Sequence, residues 1–207
     1  MPLYSKTEKG DGQVVVWHIT ESVEELLLRI DLSDEDAKRL STFRLDKRKK
    51  EWLASRILLQ CIIGCYPNIE YGKNGKPNLK GSKLCISISH TNGFAAVCVS
   101  NKPTAVDIEI CSQRVEKVAD RFVHPSEEAY VDDGVRTVYY TVLWSAKEAL
   151  YKYYNVFGVI FKEQFIVHPF AIEKQNELSC EFHQEDVIQE LKLHYEVNDK
   201  YTLVYNL

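Results

Sequence analysis

Apolar and polar positions alternate along this chain with two distinct periods, and the change of period marks the elements. The apolar run from Gln13 to Ile19 reads as a strand. Ser22 followed three residues later by Glu25 has the form of a capping box and predicts a helix through about residue 30, and Ser33 predicts the start of another short helix. Between Asp46 and Cys65, Leu53, Ile57, Cys61 and Gly64 recur at helical spacing. Strands follow over 85–89 and 94–100, joined by Thr91, Asn92 and Gly93, whose Asn-Gly pair is a hairpin signal. Beyond a junction at Asn101, Lys102 and Pro103 the pattern predicts a strand over 105–110, helices near 125–132 and 136–155, and strands near 164–168, 177–183, 190–197 and 201–206. A strand, helices and antiparallel strands in each half predict an α+β fold made as a pseudo-duplication, with subdomains at 1–103 and 104–207.

Composition narrows the class without naming a function. A chain of 207 residues with 45% hydrophobic and 27% charged content is ordinary for a globular protein and long enough to bury a substantial core. No apolar stretch approaches the ~18 residues of a membrane span, and the start lacks a signal-peptide core, so a cytoplasmic protein with no membrane partner is expected. The net charge of -4 is unevenly spread: residues 1–103 hold 16 Lys and Arg against 12 Asp and Glu, and residues 104–207 hold 10 against 18. The first half is the better phosphate binder and the second the better cation binder, although surface composition alone gives such asymmetry too. A pI near 5.9 without a larger basic face argues against nucleic acid. Six cysteines without a CxxC pair read as buried thiols rather than disulfides or zinc ligands.

The chemistry concentrates in two places. Asp107 and Glu109, two apart on the strand at 105–110, project to one face and repel unless something positive sits between them. Trp144, Glu148 and Lys152 recur every four residues and form one helical stripe, with Lys147 on an adjacent face. Three carboxylates suit a hard cation such as Mg2+, which shares its shell with phosphates, and a lysine one turn beyond could hold those phosphates. A Glu and Lys at i, i+4 are equally what a solvated helix face presents. Upstream, the loop around Gly72, Lys73, Asn74, Gly75, Lys76 and Pro77 offers lysines where backbone approaches a ligand closely. It is not a Walker A loop, because Pro77 follows Lys76. The strand at 85–89 runs into a Ser89-His90 pair at its edge.

Taken in order, Gly75-Lys76-Pro77, Ser87-Ile88-Ser89-His90, Ala105-Val106-Asp107-Ile108-Glu109 and the segment from Trp144 to Lys152 resemble the signature motifs of the 4'-phosphopantetheinyl transferase superfamily, of the surfactin-synthetase-activating (Sfp) type. One position departs: the family usually has Gly where this chain has Ala105. That is tolerable provided the backbone there has negative φ.

The resemblance implies an active site in the cleft between the halves, and a reaction in which the phosphopantetheine arm of coenzyme A passes to a serine of an acyl or peptidyl carrier protein. It implies that Asp107, Glu109 and Glu148 bind Mg2+, with Mn2+ an alternative, and that Glu148 is the general base. Lys152 would neutralise charge on the pyrophosphate, with Lys147 assisting. Lys76 and Pro77 would lie along the nucleotide, and Ser89 and His90 would contact its 3'-phosphate. Arg56 and Lys50, in or before the long helix, are further phosphate candidates, although a run of cations is also simply a solvated face. Carrier contacts are implied around 111–124, where Arg114, Lys117 and Arg121 could steer an acidic partner and Val118, Phe122 and Val123 could equally be core. A monomer suffices for two complete halves. A Mg2+-dependent nucleotide pyrophosphate hydrolase and an inert carrier-binding relative remain as rivals.

Overall fold

A computed structural model describes residues 3–128, 131 and 133–207 of the chain. The four-stranded antiparallel sheet of the first half has β1 (Leu3–Lys9), β2 (Gly12–His18), β5 (Cys85–Thr91) and β6 (Phe94–Ser100) in the order β1-β2-β6-β5. The second half has a five-stranded antiparallel sheet, β7-β11-β10-β9-β8, built from β7 (Val106–Glu109), β8 (Phe165–Val167), β9 (Gln175–Gln184), β10 (Val187–Val197) and β11 (Thr202–Tyr205). A small hairpin of β3 (Ile69–Tyr71) and β4 (Pro77–Leu79) stands apart. The helices are α1 (Val23–Leu27), α2 (Asp34–Ser41), α3 (Asp46–Ile63), α4 (Pro125–Glu128), α5 (Arg136–Tyr154) and α6 (Phe161–Gln164). The α4 region realises the start of the helix expected near 125–132, and residues 129, 130 and 132 of that expectation lie outside the described residues.

The layers explain why β2 and β6 are apolar almost throughout. Val15, Trp17, Ala95, Val97 and Val99 pack on Leu53 and Ile57 of α3. The alternate residues Val14, Val16, Phe94, Ala96 and Cys98 meet Val106, Ile108, Tyr201, Leu203 and Tyr205 of the second sheet. On that sheet's far face Leu178, Phe182, Leu193 and Val204 pack on Leu143, Ala146 and Leu150 of α5. The order of layers is therefore helix, sheet, sheet, helix, and sheets buried on both faces lose their polar alternation. Local signals match: Ser22 and Glu25 close a reciprocal capping box, Ser33 caps α2, and α3 ends on Gly64 at φ 75°. Among the described residues no helix is long and apolar enough to cross a membrane. Of the cysteines expected to be buried thiols, Cys98 and Cys180 are buried, whereas Cys61 and Cys65 are exposed at the end of α3.

One expected site residue belongs to the core instead. Lys147 is fully buried, and its ammonium donates to Glu127 Oε2 at 2.8 Å, to the Phe122 carbonyl at 2.5 Å and to the Phe161 carbonyl at 3.3 Å. Glu127, equally buried, accepts from the backbone N–H of His124 at 2.7 Å and of Val167 at 2.8 Å. Each ammonium proton and both carboxylate oxygens have partners, which is the condition for burying an ion pair. Lys147 thus ties α5 to α4, α6 and β8 and does not reach a ligand; one helical position from Glu148 is enough to turn it inward. Lys147→Ala should destabilise the fold by about 3–5 kcal/mol, because it strands a buried carboxylate. Urea unfolding at neutral pH measures this, and a loss below about 1 kcal/mol would show the pair to be dispensable.

Candidate active site

The two sheets pack face to face, and at one side of that interface the edge strands β5 and β7 lie beside each other, joined by side chains rather than by a backbone ladder. Ser87, Ser89 and Thr91 share one face of β5 by their period of two. Ser87 Oγ accepts from the Val106 N–H at 3.0 Å, Ser89 Oγ donates to Asp107 Oδ1 at 2.8 Å, and Thr91 Oγ1 donates to Glu109 Oε2 at 3.2 Å. From α5, Lys152 donates to Asp107 Oδ1 at 2.7 Å, Ser89 Oγ at 3.0 Å and the Val106 carbonyl at 2.9 Å. Ala105 is buried and is not among the described non-glycine residues with positive φ, so alanine fits there without backbone strain.

Asp107, Glu109, Trp144, Glu148, Lys152, Ser89, His90, Arg56 and Pro77 all line one cavity of about 400 Å³. The α5 stripe faces it as its spacing predicts. Lys76 lines a smaller adjoining cavity, which also takes in Pro77, Glu148 and Lys152, and burial pushes its ammonium below the ordinary lysine range. Lys50 is not brought to the site: it borders a separate depression with Lys47 and Asn92, because two residues along a helix turn a side chain well away from Arg48. Of the segment expected at the carrier, Phe122 and Val123 are core, whereas Val118 is exposed on a 3-10 turn over Glu116–Arg121.

Several lining residues went unnoticed in the sequence. Arg48 and Trp52 line the cavity with Arg56, and the four-residue spacing of these three positions on α3 is the signal that would have found them. Tyr71 enters from the β3–β4 hairpin, whose loop needs Gly75 at φ 75°. Arg56 is 1% exposed, lies over the Trp52 ring at 3.3 Å and is bonded by Asp36 Oδ2 at 3.3 Å.

Charge is the distinctive property of the carboxylate end. Burial, then Asp107 and Glu148, push Glu109 up to about 7; burial, then Asp107, also raise Glu148. Asp107 Oδ2 is buried without a hydrogen-bond partner. Mutually repelling carboxylates and an orphaned oxygen fit a hard divalent cation in donor type. In this conformation Lys152 holds Asp107, and among the described residues no three acidic, His or Cys side chains converge on one point. At the opposite end, burial first, then Arg48 and Lys152, push His90 down to about 4, so it is neutral near pH 7. The tautomer that satisfies both ring nitrogens donates from Nδ1 to Glu51 Oε2, at 3.1 Å, and accepts at Nε2 from Arg48.

Comparison with known proteins decides the lineage. The family model of the 4'-phosphopantetheinyl transferase superfamily matches residues 103–205, which carry Asp107, Glu109, Glu148 and Lys152. The chain belongs to this superfamily. Similar curated proteins include the 4'-phosphopantetheinyl transferase AcpT of Salmonella typhi, 28% identical over 113 residues that make up 51% of this chain and 58% of the relative. The 4'-phosphopantetheinyl transferase gsp of Aneurinibacillus migulanus is 29% identical over 49% of this chain and 45% of its own length. The 4'-phosphopantetheinyl transferase HetI of a Nostoc species is 26% identical over 60% of each. The chain thus spans roughly half of the curated relatives it matches.

Glu109 binds its proton more tightly in the folded chain, at about 7 against an ordinary 4.5, so its contribution to stability is present below the lower value and lost as pH rises through the upper one. The stability of Glu109→Gln relative to wild type should therefore climb as pH rises across that window. Paired urea titrations with EDTA present measure the difference, and a constant offset would contradict the burial and repulsion assigned to Glu109.

Proposed function

We propose that this protein transfers the 4'-phosphopantetheine group of coenzyme A to a serine hydroxyl of an apo acyl or peptidyl carrier protein, with Mg2+ and with release of adenosine 3',5'-bisphosphate. The observation that carries this reading is the convergence of Asp107, Glu109, Glu148, Lys152 and Ser89 on one cavity in a chain of this superfamily. The long helix on an antiparallel sheet in each half, α3 and α5, supports a duplicated ancestry, with a nucleotide side at 1–103, a cation and carrier side at 104–207 and the active cleft between them.

The reaction is a displacement at phosphorus, whose needs are alignment, neutralised charge and a base for the serine proton. Asp107, Glu109 and Glu148 would hold Mg2+, or Mn2+ in its place; the ion, when bound, supplies positive charge to the pyrophosphate oxygens. Glu148, whose proton affinity burial and Asp107 raise, takes the serine proton. Lys152, its side chain 26% exposed and already at the cavity wall, turns from Asp107 to the pyrophosphate. Pro77 and Lys76 border the nucleotide, Ser89 orients Asp107, and His90 and Arg56 face the nucleoside end. Exposed Val118, with Arg114, Lys117 and Arg121, forms the face met by an acidic carrier. A single cytoplasmic copy suffices for all of this.

The test is intact-mass spectrometry of an apo carrier incubated with the protein, coenzyme A and Mg2+, with an EDTA control. A metal-dependent gain of one phosphopantetheine is expected; hydrolysis of coenzyme A without carrier, and no gain on any carrier, would favour the pyrophosphate hydrolase. Glu148→Gln should lower transfer by about 100-fold or more with thermal unfolding unchanged. Lys152→Ala should reduce kcat more than it raises the Kd for coenzyme A, and equal effects would restrict Lys152 to binding.

A further inference from the structure

At the end of the cavity away from Asp107, the wall residues Arg48 and His90 are held from behind by Glu51, which itself borders the neighbouring depression with Lys47 and Lys50. Glu51 of α3 is 5% exposed, with Oε2 3.1 Å from His90 Nδ1 and 3.8 Å from Arg48 Nη1, and with Oε1 3.9 Å from Lys47 Nζ. Arg48 in turn contacts His90 Nε2. Two turns further along α3, Arg56 is held by Asp36, which Tyr66 also bonds, at 2.5 Å. Among the described residues, Arg48, Arg56 and Lys152, the Lys and Arg that line this cavity, each face a carboxylate of the chain itself. A phosphate dianion entering beside His90 would have to displace a buried carboxylate or lie against it. His90, held neutral by burial, offers a hydrogen bond and no charge. The aromatic groups of this end are the Trp52 indole, buried beneath Arg56 with its Nε1–H unpartnered, and the exposed Tyr71, whose ring Arg39 overlies and whose hydroxyl accepts from Arg56.

We propose that Glu51 is a specificity-determining residue: it occupies the anion position among Lys47, Arg48 and His90, so the cavity accepts 3'-dephospho-coenzyme A about as readily as coenzyme A. The inference rests on the transferase reading above. The bond exchange is the same: serine Oγ bonds to the pantetheine phosphorus, the pyrophosphate P–O bond breaks, Glu148 takes the serine proton, and adenosine 5'-monophosphate leaves in place of the 3',5'-bisphosphate.

Two measurements test this. One is kcat/KM for both donors; the other is calorimetric affinity for adenosine 3',5'-bisphosphate against adenosine 5'-monophosphate, in wild type and Glu51→Gln. Wild type should separate each pair by less than about tenfold, whereas a site built around a bonded group rejects an analogue lacking it by about 10⁴-fold. Glu51→Gln keeps the shape, releases Arg48 and Lys47, and should shift both ratios about tenfold toward the 3'-phosphorylated ligand, one charge-assisted contact in size. A wild-type preference above about 1000-fold for coenzyme A, with transfer intact, overturns the inference alone, as does a Glu51→Gln ratio that does not move. Binding of neither nucleotide and transfer from neither donor overturns the transferase reading and this inference with it.

Discussion

The structure depends on the seam where the edge strand of one sheet meets the edge strand of the other. An open strand edge is a liability for any sheet, and here β5 and β7 cover each other. They do so through hydroxyls on β5 and the carboxylates and backbone of β7, so a contact that joins the two halves, beside the apolar core between the sheets, also fixes the acidic groups of the cavity. The arrangement has a built-in tension. Asp107 and Glu109 are drawn into a water-poor space side by side, and Glu109 answers by holding its proton up to about pH 7. Lys152 relieves part of this by bridging α5 to Asp107 and Ser89. The seam is stable and still short of positive charge, the condition under which a polar site recruits a cation.

Periodicity was most informative where one element supplies a whole set of groups. The four-residue step of Trp144, Glu148 and Lys152 and the two-residue step of Asp107 and Glu109 translate directly into directions in space, and all five line the same cavity. The same steps from Ser89 back to Ser87 and on to Thr91, and from Arg56 back to Trp52 and Arg48, were equally legible once the partner strand and helix were known. What made them matter was tertiary contact, which no local pattern carries.

Elsewhere the sequence misled or was silent for identifiable reasons. Lys147 sits beside Glu148 in the motif and looks like part of the same chemistry, but its partner Glu127 comes from a separate helix and draws it into the core. Strand β1 gave no signal because its residues from Tyr4 to Lys9 are mostly exposed and polar, an edge held by backbone pairing to β2 and by side-chain bonds from Ser5 and Thr7 to Tyr201 and Glu196. The stretch around 71–78 reads as a loop because the β3–β4 hairpin is three residues on each side and nearly all of its length is turn. The expected cation site illustrates a further gap: three carboxylates were correctly brought to one cavity, while their side chains are arranged around a lysine rather than around a common point.

The end of α5 shows how the first half protects the chemistry of the second. A helix carries a partial negative charge at its C-terminus, and α5 stops at Tyr154, capped by Asn155 at φ 53°, within one turn of Lys152. Left bare, that pole would repel any anion approaching the lysine. Asn74 donates to the Asn155 carbonyl at 2.6 Å, and Lys76 reaches the Tyr153 carbonyl at 3.4 Å. The β3–β4 loop thus neutralises the helix dipole from outside, and an acidic helix terminus becomes compatible with a phosphate-facing cavity.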